Sequence, residues 1–322
     1  MLSILKAMIE HRQKTFVVTG SNTGIGFETA KAFAELGGRV ILAVRDEAKG
    51  QAAADDISKV TGNDKVAVLH LDLGDLASIR KAAEALKGEE RIDILVNNAG
   101  LATTSDGETK DGFELIAGVN HIGTFAFTEA IMGKLLETAR TRGECRVINL
   151  SSAAHQFARK LDPEDLFPEK RGMARDAYSE SKLMNLLHVR EMARRYGRLG
   201  IRAHAVHPGF VSSDFGRSNH FPGAWQAVFM LTKPLQISPA KGARTTIAAA
   251  LSDDGAWNNG VYWDKEKPAT PTLPDDPDRV ARMLWDETER LLAEKGFIVE
   301  RDAEEDADLF ASQTSTLFPN GL

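Results

Sequence analysis

Tyr178 and Lys182 stand four residues apart in YSESKLMNLLHVREMARRYG (178–197), a stretch whose pattern predicts a helix closed by Gly197. Four residues is about one helical turn, so the two side chains share a face. An ammonium beside a phenol favours the phenolate and lowers a pKa that is otherwise about 10. Such a pair can move a proton at a carbonyl or alcohol oxygen. Taken alone, the spacing is common on helix surfaces.

A second constellation, Thr19-Gly20-Ser21-Asn22-Thr23-Gly24-Ile25-Gly26, follows the apolar run TFVVT (15–19) and opens GFETAKAFAELG (26–37). Between a strand and a helix, Gly20 permits a tight turn and Gly24 lets backbone approach a pyrophosphate. Gly26 lets the helix sit close on the strand. The helix N-terminus then offers amide donors and partial positive charge to phosphates, so a dinucleotide cofactor is expected on this loop. An NAD-preferring fold usually carries an acid for the adenosine 2′-hydroxyl at the end of the second strand. Here RVILAV (39–44) ends in Val44, and Arg45 follows. A guanidinium there can pair with a 2′-phosphate, so NADP(H) is expected over NAD(H). The plainer alternative pairs Arg45 with Asp46 or Glu47 on the surface.

Short β-branched runs alternate with helical stretches around these residues. Strands are predicted at 15–19, 39–44, 65–71, 93–98, 145–151, 201–209 and 260–263. Helices are predicted at 26–37, 46–60, 75–87, 111–139, 178–197 and 239–252. Nearly continuous apolar strands with long crossovers imply an α/β fold, a doubly wound parallel sheet of about seven strands with helices on both faces. The expected organisation is an N-terminal extension (1–14), one Rossmann domain (15–264) and a C-terminal region (265–322). That last region reads as a Pro-rich loop (267–278), an amphipathic helix (279–296) and an acidic tail.

Beyond these two constellations, LDLGD (71–75), NNAG (97–100), VNHIG (119–123), INLSS (148–152) and HPGFVSS (207–213) occur in an order that resembles the short-chain dehydrogenase/reductase superfamily. The resemblance covers about residues 15–263. TGSNTGIGFETA, the AVRDEAKG stretch and VNHIGTFAFT are most similar to its retinol dehydrogenase-like branch.

The resemblance implies a catalytic tetrad of Asn120, Ser152, Tyr178 and Lys182. Ser152, preferred over Ser151, would hydrogen-bond the substrate oxygen. Tyr178 would be the general acid in reduction and the base in oxidation. Lys182 would hold the nicotinamide ribose and tune Tyr178, and Asn120 would fix a water near Lys182. Asp72 is expected at the adenine amino group, with Leu73 beside it; Asp72 could equally cap the helix starting near Asp75. Asn97, Asn98, Ala99 and Gly100 would line the adenine-ribose side. Pro208, Gly209 and Val211 would set backbone against the nicotinamide, and Ser213 stands where the family often has Thr.

Ser152 and Tyr178 are separated by a charged insert (153–177) that could obstruct helix-to-helix dimerisation, which leaves monomer and homodimer both open. Of the eight histidines, His121, His155, His188, His204 and His207 lack zinc-site spacing and read as core or surface residues. His155 could line the substrate mouth.

Composition bounds the rest. The chain has 322 residues, 43% hydrophobic and 27% charged, with a formal net charge of -6. A mildly acidic chain without a long basic run is a poor nucleic-acid binder. A single cysteine, Cys145, excludes an intrachain disulfide and any multi-cysteine zinc cluster. The opening MLSILKAMIEHRQK is too short and interrupted for a membrane span, though Leu2, Leu5 and Ile9 could line an amphipathic helix. A cytoplasmic location is expected. Phe210, Phe215, Phe221, Trp225, Phe229, Met230 and Leu231 are consistent with a lid over an apolar pocket, hence a lipophilic aldehyde, ketone or alcohol as substrate. Two rival readings remain. One is a non-enzymatic NADP(H)-binding sensor, which would typically lose Tyr or Lys. The other is a sugar-nucleotide epimerase or dehydratase, which would usually carry a shorter glycine loop and a larger C-terminal domain.

Overall fold

The structure is a computed structural model that describes residues 11–103, 107–158, 161, 165–167, 174–211 and 236–298. The expected N-terminal amphipathic helix, most of the lid, Ser213 and the acidic tail lie outside them.

Eight strands form one sheet in the order β3-β2-β1-β4-β5-β6-β7-β8. They are β1 (Thr15–Thr19), β2 (Arg39–Val44), β3 (Val66–His70), β4 (Ile94–Asn97), β5 (Cys145–Leu150), β6 (Ile201–His207), β7 (Val261–Asp264) and β8 (Lys267–Ala269). The first seven are parallel. Side chains alternate across the sheet, so Phe16 and Val18 enter one core while Val17 enters the other. Burial on both faces is why these strands read as continuous apolar runs.

β8 corrects the expectation of a loop at 267–278. It pairs antiparallel with β7 through a turn in which Lys265 and Glu266 both take positive φ, 51° and 64°. Hairpin turns of that kind are normally announced by Asn or Gly, and neither is present here. Pro268 is tolerated because β8 is the sheet edge.

The crossover helices are α1 (Gly24–Glu35), α2 (Glu47–Thr61), α3 (Leu76–Lys87), α4 (Leu115–Ala130), α5 (Met132–Arg142), α6 (Ala174–Tyr196) and α7 (Pro239–Leu251). The single helix expected at 111–139 is two helices bent by 54°. Within α4, residues Gly118–Gly123 form a π turn. Its close fit explains the glycine: a Cβ on Gly123 would lie 2.0 Å from the Leu73 carbonyl oxygen. Among the described residues, no single helix is long and apolar enough to cross a membrane.

A short helix α8 (Asp253–Trp257) precedes β7, and α9 (Pro277–Glu294) closes the described chain. α9 starts where Asp276 accepts the Arg279 amide and Pro277 takes the first helical position. It packs on α6 through the buried Trp285, whose ring meets Phe125, His188 and Tyr196 at 4.7, 5.5 and 6.0 Å. Thr288 binds His121 of the π turn at 3.0 Å.

Candidate active site

β1 pairs with β2 on one side and β4 on the other, so the chain reverses its winding direction there. A crevice opens at that point, at the carboxyl ends of the strands. The glycine turn leaves β1 into it. Gly20 and Gly24 both take φ of 63°, a region closed to most side chains. The Gly20 amide donates to the Ala43 carbonyl at 2.8 Å, leaning the turn on the end of β2.

The turn after β4 is sewn to this loop. Asn98 donates to the carbonyls of Thr19 and Gly20 at 2.8 and 3.2 Å, and the Ala99 amide donates to the Thr19 hydroxyl at 2.9 Å. A Cβ on Gly26 would sit 2.4 Å from Asn98 Nδ2 and 2.6 Å from the Gly20 carbonyl oxygen, so only glycine fits. The fit to a dinucleotide is testable at the start of α1. The Thr23 side chain makes no capping hydrogen bond there, and the first turn carries no acid. The first turns of α2, α3 and α9 are instead capped by Asp46, Asp75 and Asp276. An α1 terminus without a side-chain acceptor suits a pyrophosphate. Thr23 is exposed, while Asn22 and Ile25 are partly so. Ser21 is buried and spends its hydroxyl proton on the Val18 carbonyl, so toward a phosphate it has its backbone amide as donor.

Arg45, just past β2, is exposed and has no ion pair among the described residues. Asp46 pairs with Lys49 instead, which removes one of the two surface partners considered for Arg45. Asp72 is not a helix cap: its Oδ1 accepts the Gly74 amide at 2.9 Å, and Asp75 caps α3. Leu73 is buried against the π turn. Asn97 does not line the crevice. It is buried and donates to Thr128 and Asn149 at 2.9 and 2.8 Å.

The four tetrad candidates converge. Ser152 caps a 3₁₀ turn, Ala153–Phe157, and its hydroxyl hydrogen-bonds Tyr178. Ser151 faces the other way and donates to the Lys182 carbonyl at 2.8 Å. Lys182 is buried, donates to the Leu150 carbonyl at 3.2 Å and stands 5.6 Å from the Tyr178 ring centre. Asn120 is fully buried in the π turn; its amide donates to the Leu101 carbonyl and to Ser181, and its Oδ1 accepts the Leu101 amide. A Cβ on Gly100 would lie 3.1 Å from Asn120 Oδ1 and 3.3 Å from Lys182 Nζ, which places this turn against the pair.

The electrostatics differ from the expectation for an isolated phenol and ammonium. Burial pushes the Tyr178 phenol up to about 12, opposed by the Ser152 hydrogen bond, and pushes Lys182 down to about 8. The phenol is therefore held protonated near neutral pH.

Gly209 takes φ of 88°, and beyond β6 an isolated bridge pairs Val211 with Ile237. Gly242 of α7 lets that segment close on the glycine loop: a Cβ there would meet Val211, Ile25 and the Pro208 carbonyl at 2.5, 3.4 and 3.4 Å. Gly242 and Ser181, whose hydroxyl ties Asn120 to the Tyr178 carbonyl, carry no sequence signal of their own. His121, His188 and His204 are core residues. His155 is buried too rather than open to a substrate mouth.

The family model described as short chain dehydrogenase matches residues 14–220. Human retinol dehydrogenase 13 is 40% identical over 287 residues, covering 87% of this chain and 84% of that protein. Mouse retinol dehydrogenase 11 is 40% identical, covering 85% and 84%. Among solved structures, an uncharacterised protein from Mycobacterium paratuberculosis aligns with a TM-score of 0.68 and 32% identity, covering 90% of this chain and 96% of its own. The Pseudomonas aeruginosa RhlG/NADP active-site complex aligns at 0.60 and 25%, covering 83% and 96%. A glycine turn built for a dinucleotide and a Tyr178–Lys182 pair with Lys182 buried thus sit in a chain most of whose length matches these relatives: it belongs to the short-chain dehydrogenase/reductase superfamily and is an NAD(P)(H)-dependent oxidoreductase acting on CH–OH and C=O groups.

Proposed function

We propose that the protein reduces a lipophilic, retinoid-like aldehyde or ketone to its alcohol, with NADPH as the preferred coenzyme. The observation that carries this reading is the Ser152–Tyr178–Lys182 cluster, with its phenol held protonated beside a buried amine. When bound, the reduced nicotinamide supplies the two electrons and the hydrogen that the carbonyl carbon gains. Ser152 orients the substrate oxygen with its hydroxyl, and Tyr178 gives that oxygen its proton. The resulting phenolate is stabilised by the Lys182 charge. In the same reading Lys182 holds the ribose. Asn120 keeps the 98–101 turn in register through its two hydrogen bonds with Leu101.

The coenzyme preference rests on Arg45, exposed at the end of β2 without an acid beside it in the strand. The substrate class rests on two features. Exposed Phe157 lies on the turn after Ser152, and exposed Phe210 follows Gly209. The relatives at 40% identity are named for retinol.

NADPH consumption with a panel of long polyene, steroid and short aldehydes and ketones tests the reading, run in parallel with NADH. Turnover is expected with the apolar members and NADPH. Arg45→Asp should weaken NADPH about tenfold or more, the loss of one charge-assisted contact, and narrow the gap to NADH. NADPH affinity left intact by that change overturns the coenzyme assignment, and activity confined to short polar carbonyls overturns the substrate class.

A further inference from the structure

His155 is buried three residues after Ser152, and both of its ring nitrogens are committed to backbone. Nδ1 lies 2.6 Å from the Ser152 carbonyl oxygen, and Nε2 lies 3.2 Å from the Thr272 amide nitrogen. These two partners have fixed roles. An amide N–H can only donate, so Nε2 accepts; a carbonyl can only accept, so Nδ1 carries the proton and donates. One neutral tautomer satisfies both contacts. The Tyr262 ring of β7 meets the imidazole edge to face at 5.2 Å and fixes its plane. The other side of the same peptide is held by His207, whose Nδ1 accepts the Ala153 amide at 3.2 Å.

We infer that His155 is a positioning residue: its ring ties the Ser152 carbonyl to the Thr272 amide and thereby holds the Ser152 hydroxyl on Tyr178. Ser152 stands just past β5, and its carbonyl also accepts the His155 backbone amide at 3.0 Å, a bond internal to the turn, so the turn as a whole takes its anchor from elsewhere. His155 supplies one, and it comes from the segment between β8 and α9, 117 residues away in sequence. The aim of the Ser152 hydroxyl therefore depends on the docking of the C-terminal region. This inference rests on the role proposed for Ser152.

The two contacts can be separated by substitution. Asn places its amide nitrogen where Nδ1 stands, keeping the donor to Ser152 and giving up Thr272. Gln places its amide oxygen near Nε2, keeping the acceptor for Thr272 and giving up Ser152. His155→Gln is expected to lower kcat about 10- to 100-fold, the scale of a small misplacement at a reacting centre, with the NADPH Kd unchanged. His155→Asn, which keeps the donor to Ser152 but loses the anchor on Thr272, should lower kcat by a clearly smaller factor. Because His155 acts through Ser152, adding His155→Gln to Ser152→Ala should cost little beyond Ser152→Ala alone. NADPH fluorescence titration of each variant reports that the fold stands.

Equal losses from Asn and Gln, or a full additional loss in the Ser152→Ala background, would overturn the positioning role. So would an unimpaired His155→Gln enzyme. If Ser152→Ala itself retains parent turnover, the parent reading of Ser152 fails first, and that result is distinct from the other three.

Discussion

Ser151 and Ser152 are adjacent, chemically identical and functionally opposite. Consecutive side chains on an extended backbone point to opposite sides. One hydroxyl is therefore spent inside the fold on the Lys182 carbonyl, while the other reaches Tyr178. Tyr178 in turn is a proton donor because burial disfavours the phenolate. Replacing Tyr178 with Phe removes the proton and keeps the ring. Turnover of NADPH with a good carbonyl substrate should fall at least about 100-fold, the usual weight of a general acid, while fluorescence titration shows NADPH affinity nearly unchanged. Substantial residual turnover would move the proton donor to another group. At this scale the residue types were legible in the sequence, because Tyr and Lys one turn apart bring their chemistry with them. The direction of the Tyr178 shift was not, since it depends on how deeply the packed chain buries the phenol.

Among the elements, the first β–α unit was the most legible, because its glycines act locally: two set φ, and the third clears space. Gly26→Ala tests that third role. The added methyl would overlap Asn98 Nδ2 and the Gly20 carbonyl, which belong to the turns that cradle the cofactor. It should cost about 1–3 kcal/mol of stability as overpacking, and NADPH affinity should fall with it. Chemical denaturation and coenzyme titration measure the two effects, and an unchanged value for both would remove the close-approach argument. The helix at 111–139 was legible as helix but not as a bent pair with a π turn. Its apolar pattern reports which side is buried, whereas the π turn answers the position of Leu73 and the need to bring Asn120 to Leu101. β8 was missed for a related reason. Lys265 and Glu266 adopt positive φ without the residues that usually announce it, and β7 is the partner that makes the hairpin worthwhile.

On the scale of the molecule, two buried histidines couple stability to pH. Burial depresses His188 to about 3 and His204 to about 4. In the unfolded chain both titrate near about 6.5. Between those values the unfolded state binds protons that the native state refuses, so stability falls as pH falls. Thermal unfolding should show a Tm that is level above about pH 6.5 and drops steadily below it, through the acid range down to the folded-state values. His188→Gln should blunt that drop. A Tm that stays level between neutral pH and the depressed values would show that these rings are not held neutral by the fold. The same core joins the C-terminal helix to the catalytic one. Trp285 packs against His188 and Phe125, and Thr288 binds His121, so α9 buttresses both α6 and the π turn. Its amphipathic pattern marked a helix with one apolar face, but not which partner that face would cover.

By itself the sequence determined the alternation of strands and helices, the glycine cradle, the Tyr–Lys pair and the order of the family's motifs. All of these follow from local backbone preference, from periodic burial and from residue chemistry at short spacing. The tertiary structure alone decided how far burial shifts Tyr178 and Lys182, where the long helix breaks, and that a histidine ties Ser152 to Thr272. Those outcomes depend on contacts between segments far apart in the chain, and their energies exist only once the two cores have closed on the sheet.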